Sequence, residues 1–444
     1  MSRHRWRRGA ALAAALGAVT GVLLVVMSLG NAAAATTPPP SWTPLAPLAT
    51  GKHPAPAAWS VVAVPGQPQQ LLVATSQGVL KSTDGGMTWT PTPLTGLVWA
   101  LAFGPHGHTL YAGTARHGVQ RSTDQGQTWQ ADNTGLGNLD VRAIAVAPTA
   151  IVLGTNGGVY VSGTGSGWAE EGLATQQISS VAVITASPLA VLAGADGGLL
   201  AGGALFRNLA VTSGGGWQPL SQGDPGNVPV WRVAAGPLAV GRHASPNPPL
   251  LEGNAKGLFL STTDGQTWAQ LTLAAGVTWT PTAITFDPRN PAVAYVGGDN
   301  GGSSGGGIQR TIDGGAAWTP MQQGLPAPEA VSLTALATQP LTVLATVVDP
   351  ATGAGGVARL VDPPVPAPVA VAAATGPPVT VTVVPVTPGP THRRRPAHSR
   401  QPGLLQGMPG WVPVVALAAV ILGLIGTGLG LRRRRERLEV EGPP

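Results

Sequence analysis

An eight-residue string, Ser82-Thr83-Asp84-Gly85-Gly86-Met87-Thr88-Trp89, returns as Ser122-Thr123-Asp124-Gln125-Gly126-Gln127-Thr128-Trp129. It returns again, with threonine for the serine, as Thr311-Ile312-Asp313-Gly314-Gly315-Ala316-Ala317-Trp318. Recurrence at a period of tens of residues requires one supersecondary unit repeated in a stack or around an axis. Trp89, Trp129, Trp168, Trp217, Trp268 and Trp318 lie 39 to 51 residues apart, the length that four short strands and their turns occupy. In the second unit the strands read 99–105, 109–115, 118–124 and 128–133, each apolar or β-branched and bounded by Gly, Pro, Asn or Asp. The first strand of a unit ends on a proline, and the same order overlays residues 59–65, 141–148, 231–237 and 282–288.

These units resemble Asp-box repeats, also called bacterial neuraminidase repeats, with the pattern Ser-x-Asp-x-Gly-x-x-Trp. Ser82, Asp84, Gly86 and Trp89 match it, as do Ser122, Asp124, Gly126 and Trp129; Asp313, Gly315 and Trp318 follow Thr311. In the fifth unit Gly265 and Trp268 keep their places while the aspartate, Asp264, is displaced by one; units three and four keep only a glycine and the tryptophan. Physically the box is a turn between the third and fourth strands. Its aspartate and serine hydrogen-bond the turn backbone, its glycine permits positive φ, and its tryptophan covers the turn. The aspartates are therefore expected to be structural rather than catalytic or metal-binding.

Six tryptophans give six units, but residues 331–338, 341–349 and 356–362 read as three further strands without a fourth. Ser41-Trp42-Thr43-Pro44-Leu45 matches the opening of the fourth strand in Thr88-Trp89-Thr90-Pro91 and Ala317-Trp318-Thr319-Pro320. The expected fold is all-β: a seven-bladed β-propeller over residues 36–362, made of four-stranded antiparallel blades and closed by an N-terminal strand that removes the open edges. Six blades with unpaired flanks is the alternative.

The chain's net charge of +6 comes from its ends, where 13 of the 25 basic residues are terminal arginines. Between residues 36 and 362 there are 12 Lys and Arg against 16 Asp and Glu, so the basic balance is no argument for a nucleic-acid partner. Residues 1–35 join four arginines to an apolar run and a small-residue stretch, and read as a signal peptide or an uncleaved signal anchor. Residues 363–410 are Pro-, Ala- and Val-rich, an extended linker. Residues 411–431 carry no charge and are long enough to span a bilayer, and the basic tail 432–444 follows, which places that tail in the cytoplasm and the propeller outside the cell membrane. The absence of cysteine excludes disulfides and thiolate metal sites.

Among propellers that the chain resembles are sialidases, and the resemblance fails at their chemistry. There is no Arg-Ile-Pro element, and Tyr111, Tyr160 and Tyr295 all fall inside strands. A glycosidase carboxylate pair would have to come from Asp140, Asp224, Asp299 or Glu329, whose spacing selects no pair. His106 and His108 lie in a loop at the opposite face from His117, so these three cannot share a metal. No metal and no cofactor is expected. Aligning first strands by their terminal proline puts Trp59, Trp99, Arg142, Trp231 and Thr282 at one place, the mouth of the central channel. Flat rings and a cation there suit a sugar or a peptide, although innermost-strand residues also pack blade on blade. The expected function is a membrane-anchored, outward-facing binding module for an extracellular protein or glycan, as the likeness to photosystem II assembly-factor and sortilin-type propellers implies. An exo-acting glycoside hydrolase is the alternative.

Overall fold

The computed structural model describes residues 40–48, 55–163, 167–197, 204–213, 215–220, 228–238, 247–274, 280–299 and 306–365. The expected signal, most of the linker, the apolar span 411–431, the basic tail and Asp224 lie outside them. Among the described residues no helix is long and apolar enough to cross a membrane.

Seven four-stranded antiparallel sheets stand around one axis. The innermost strands are Ala58–Val64, Val98–Phe103, Val141–Ala147, Ile178–Ala186, Val230–Ala235, Thr280–Asp287 and Glu329–Leu336. Each contacts the next, and the seventh contacts the first, so the ring is closed. Numbered from Ala58–Val64, these strands define blades 1 to 7.

The core lies between blades rather than within one sheet. Each blade's second strand is covered on both faces, which is why Leu189–Ala195 and Ala150–Thr155 are buried along their whole length and read as continuous apolar runs. Seven apolar clusters result, each shared by two neighbouring blades. The one between blades 7 and 1 joins Leu344 and Val357 to Val61, Leu71 and Val73.

Closure follows the sequence match. The segment Thr43–Pro44 pairs antiparallel with Gly355–Asp362, placing Thr43 opposite Arg359 and Pro44 opposite Ala358. The stretch around it ties three blades. Trp42 Nε1 donates to Met321 O of blade 6 at 2.9 Å, Leu45 N to Val357 O of blade 7 at 2.9 Å, and Ala46 N to Gly86 O of blade 1 at 2.8 Å. Trp42 and Leu48 are buried in the flanking clusters.

Four of the seven outermost strands are much shorter than the expected 128–133: Gln130–Ala131, Gln218–Pro219, Thr319–Pro320 and Thr43–Pro44 have two residues each. Three of these carry a proline, which lacks the N–H that a further strand would pair with. The propeller's outer rim is blunted in this way against edge-to-edge association.

The boxes are built as the pattern implies. Ser122 Oγ donates to Asp124 Oδ1 at 2.8 Å and accepts from Gly126 N at 2.7 Å, while Thr128 donates to the same carboxylate from its N at 2.8 Å and its Oγ1 at 2.5 Å. The turn at Asp84 repeats the arrangement, and the turn at Asp313 repeats it without the hydroxyl donor, because Ala317 stands in the threonine's place. The fifth box differs from expectation. Thr263, not Asp264, occupies the aspartate's place, accepting from Thr267 N at 3.0 Å, while Asp264 takes the left-handed position at φ 51° and its carbonyl accepts from Arg207 Nη1 at 2.7 Å.

Candidate functional site

Every innermost strand carries the same irregularity near its start. Pairing with the second strand skips one residue, and the skipped residues are Trp59, Trp99, Arg142, Ser179, Trp231, Thr282 and Val331. A β-bulge leaves the extra residue unpaired and re-aims its side chain. Here all seven residues line one cavity of about 380 Å³ on the propeller axis.

The second strand makes room for the next blade at the same level. Opposite the residue after the bulge stand Gly113, Gly154, Gly194, Gly253 and Gly297, with Ala74 and Thr346 in the remaining blades. A Cβ on Gly194 would lie 2.7 Å from Val230 Cγ1, and one on Gly154 would lie 2.7 Å from Ile178 Cγ2. The missing side chain admits the start of the next blade's innermost strand.

The four residues expected at the mouth, Trp59, Trp99, Arg142 and Trp231, therefore do share one cavity. They are not equivalent. Trp99 has three partners: the Trp59 ring meets it edge to face at 5.1 Å and 63°, the Arg142 guanidinium lies 5.5 Å from its centroid, and its Nε1 donates to Asp140 Oδ1 at 3.1 Å. It is the hub of the cluster and, like Trp59, is half-buried. Trp231 stands across the channel and is likewise half-buried.

Two loop carboxylates hold the arginine. Arg142 Nη1 reaches Asp196 Oδ2 at 3.2 Å, and its Nε lies 3.9 Å from Asp140 Oδ1, an ion pair too long for a hydrogen bond. Asn156 Nδ2 donates to Asp140 Oδ2 at 2.6 Å. Burial raises the Asp140 pKa, outweighing the opposing effects of Arg142 and of the Trp99 and Asn156 donors. Asp140 is one of the four carboxylates that the sequence offers; Asp196, which joins it through Arg142, is not among them. Asp299 and Glu329 end and begin strands outside the cavity lining.

The tyrosines lie away from the channel lining. Tyr295 is fully buried between blades 6 and 7, donating to Asp362, which also pairs with Arg310 Nη2 at 2.7 Å. Tyr160 is buried between blades 2 and 3.

The residue that the alignment by prolines misses is Arg232. Its Nε donates to Thr282 O at 3.0 Å and its Nη2 to Val331 O at 3.3 Å, both carbonyls of bulge residues. A signal was available: at this place the other six blades carry Ser60, Ala100, Ala143, Ser180, Ala283 and Ser332, so a long cation is the exception.

Residues 120–131 match the BNR/Asp-box repeat. No curated protein matches the chain. Among solved structures, YCF48 bound to a D1 peptide is 13% identical, covering 75% of this chain and 98% of its own, with a TM-score of 0.53. The extracellular domain of BT4673 from B. thetaiotaomicron, described as a hybrid two-component system, is 14% identical over 72% of this chain and 39% of its own, with a TM-score of 0.53. A GH74 xyloglucanase from Xanthomonas campestris is 20% identical over 65% of this chain, with a TM-score of 0.47, and the match spans 50% of the enzyme's length. The first two likenesses establish a shared propeller fold.

Proposed function

We propose that this chain is a membrane-anchored, extracytoplasmic propeller that binds a protein or glycan ligand at its channel mouth and does not transform it. The observation that carries this reading is the sevenfold bulge, which turns Trp59, Trp99, Arg142 and Trp231 into one cavity of small-molecule size. Aromatic faces there supply contact area at low entropic loss.

The placement of the chain ends supports display of that mouth. Thr43 pairs antiparallel with Arg359, so the described chain enters and leaves blade 7 at the face of the box turns. The mouth is at the opposite face, with the loops bearing Asp140 and Asp196. An anchor at residues 411–431 would hold the mouth away from the bilayer.

A hydrolytic reading has one observation in its favour, the raised pKa of Asp140 beside Asp196. Both carboxylates are bound by Arg142, and Asp140 also by Trp99 and Asn156, which leaves neither poised on an incoming bond. Screening the full-length chain against glycan and peptide arrays tests the binding reading. Trp231→Leu should lose the captured ligand while keeping the parent's melting temperature, because the ring is half-buried and leucine keeps an apolar filler. Retained binding by that variant would move the ligand elsewhere, and turnover of a glycan abolished by Asp140→Asn would establish the enzyme instead.

A further inference from the structure

The turn joining Ala150–Thr155 to Gly158–Gly163 in blade 3 holds an Asn-Gly pair, Asn156-Gly157, beside the loop of Asp140. Thr155 pairs with Gly158, so these two residues are the whole connection, and Asn156 N donates to Asp140 O at 3.1 Å. The turn requires its glycine at Gly158, whose φ is 98°, as it does at Gly78 and Gly257, whose φ values are 137° and 128°. At the place of Gly157 those two blades carry Gln77 and Lys256, so turn geometry does not account for the second glycine. Contact does: a Cβ on Gly157 would lie 2.9 Å from Asn138 Nδ2.

An asparagine before a glycine can lose its side-chain nitrogen as ammonia, because no Cβ on the glycine shields the amide carbon from the next backbone nitrogen. The groups around Asn156 meet the needs of that reaction. The attacking atom, Gly157 N, donates to Thr155 Oγ1 at 3.0 Å, which polarises the N–H that must be lost. The departing atom, Asn156 Nδ2, lies 2.6 Å from Asp140 Oδ2. Burial holds the Asp140 carboxyl above the usual carboxylate range, which suits an acid that gives a proton to a leaving nitrogen. Asn156 Oδ1 is buried and has no donor among the described residues, so the amide is held through its nitrogen.

We propose that Asn156 is a self-modifying site, converted to aspartate or isoaspartate by attack of Gly157 N, with Asp140 as the acid. Gly157 N gives its proton to hydroxide and bonds to the Asn156 amide carbon, Cγ. The Cγ–Nδ2 bond then breaks, and its electron pair leaves with the nitrogen, which takes the Asp140 proton and departs as ammonia. Water opens the cyclic imide at either carbonyl, and Asp140 regains its proton from solvent. The product sets a new carboxylate against Asp140, where the two cannot both stay ionised in contact. The rim around Arg142 becomes more acidic without a second enzyme, whatever ligand the mouth binds.

The test is to incubate the full-length chain at mildly alkaline pH, native in detergent and unfolded in urea, and to follow amide-to-acid conversion of each tryptic peptide by mass spectrometry. Asn300-Gly301, the chain's other Asn-Gly pair, falls on a separate peptide. Asn156 should convert faster in the native chain than in urea, because only the folded ring places Asp140 on the departing nitrogen. Asp140→Asn should slow native conversion by about a hundredfold, the low end of general acid catalysis, and leave the rate in urea unchanged. Conversion of the native parent no faster than in urea overturns the proposal, even if the variant fails to fold. A folded Asp140→Asn variant that converts at the parent's native rate overturns it as well.

Discussion

At the scale of single residues, the box tryptophans divide by where their indole N–H goes. Trp129 and Trp268 donate to a glycine carbonyl of their own turn, at 3.1 Å in each case. Trp168 and Trp217 reach the preceding blade instead, donating to Asp132 O at 2.6 Å and Glu171 O at 2.7 Å. Trp318 Nε1 is buried with no acceptor among the described residues. Replacing Trp168 by phenylalanine should therefore lower stability by about 1 kcal/mol more than the same change at Trp318, since only the former breaks a bond and strands a carbonyl. Thermal unfolding of the two variants measures the difference. The box carboxylates make a second prediction. The Thr128 hydroxyl, with the Thr128 N–H, holds the Asp124 pKa down at about 2. A depressed folded-state pKa contributes stability that is present above the ordinary carboxylate range and is lost as pH falls from there toward 2. Asp124→Asn should cost about 1 kcal/mol at neutral pH, as loss of a turn cap does, and should make the acid limb of the stability curve shallower. Parallel acid limbs for parent and variant would contradict the assigned bonds.

At the scale of the strand, the repeat is a pairing rule. In five blades a glycine of the second strand faces the residue before the bulge in the next blade's first strand, and this contact sets the spacing there. Gly194 is the clearest instance, since its Cβ would meet Val230 Cγ1 at 2.7 Å and Val230 is fully buried. Gly194→Val should overpack this contact and lower stability by roughly 1 to 3 kcal/mol. Urea unfolding reads the loss directly. The rule also explains what the terminal prolines could reveal. They locate the bulge in blades 1, 2, 3, 5 and 6, where Pro65, Pro105, Pro148, Pro237 and Pro288 close the strand. Blade 4 runs on to Ala186 and blade 7 has no such proline at its strand end, so Ser179 and Val331 are found only in three dimensions.

At the scale of the molecule, the ring depends on eight residues far from its last strand. Residues 41–48 supply the seventh blade's outer strand, bury Trp42 and Leu48 in two different blade interfaces, and bond to blades 6, 7 and 1. Deleting them should expose the Gly355–Asp362 edge and open the contact between the last blade and the first, lowering the melting temperature and promoting aggregation. A melting curve unchanged by the deletion would mean that the ring closes without them.

The sequence by itself determined the unit, its number and its closure, because turn chemistry, strand period and the Trp42-Thr43-Pro44 match are local properties that persist wherever the chain folds. It also located Trp59, Trp99, Arg142 and Trp231 on the channel, because a repeated register carries one position in each blade to one place on the axis. Partnership across the ring was decided only by tertiary structure. That Arg142 draws in Asp196 from 54 residues away, that Trp99 sits between Trp59, Arg142 and Asp140, and that Arg232 crosses to Val331 while meeting no carboxylate among the described residues all depend on which loops the closed ring brings together. No spacing within a single blade encodes those distances.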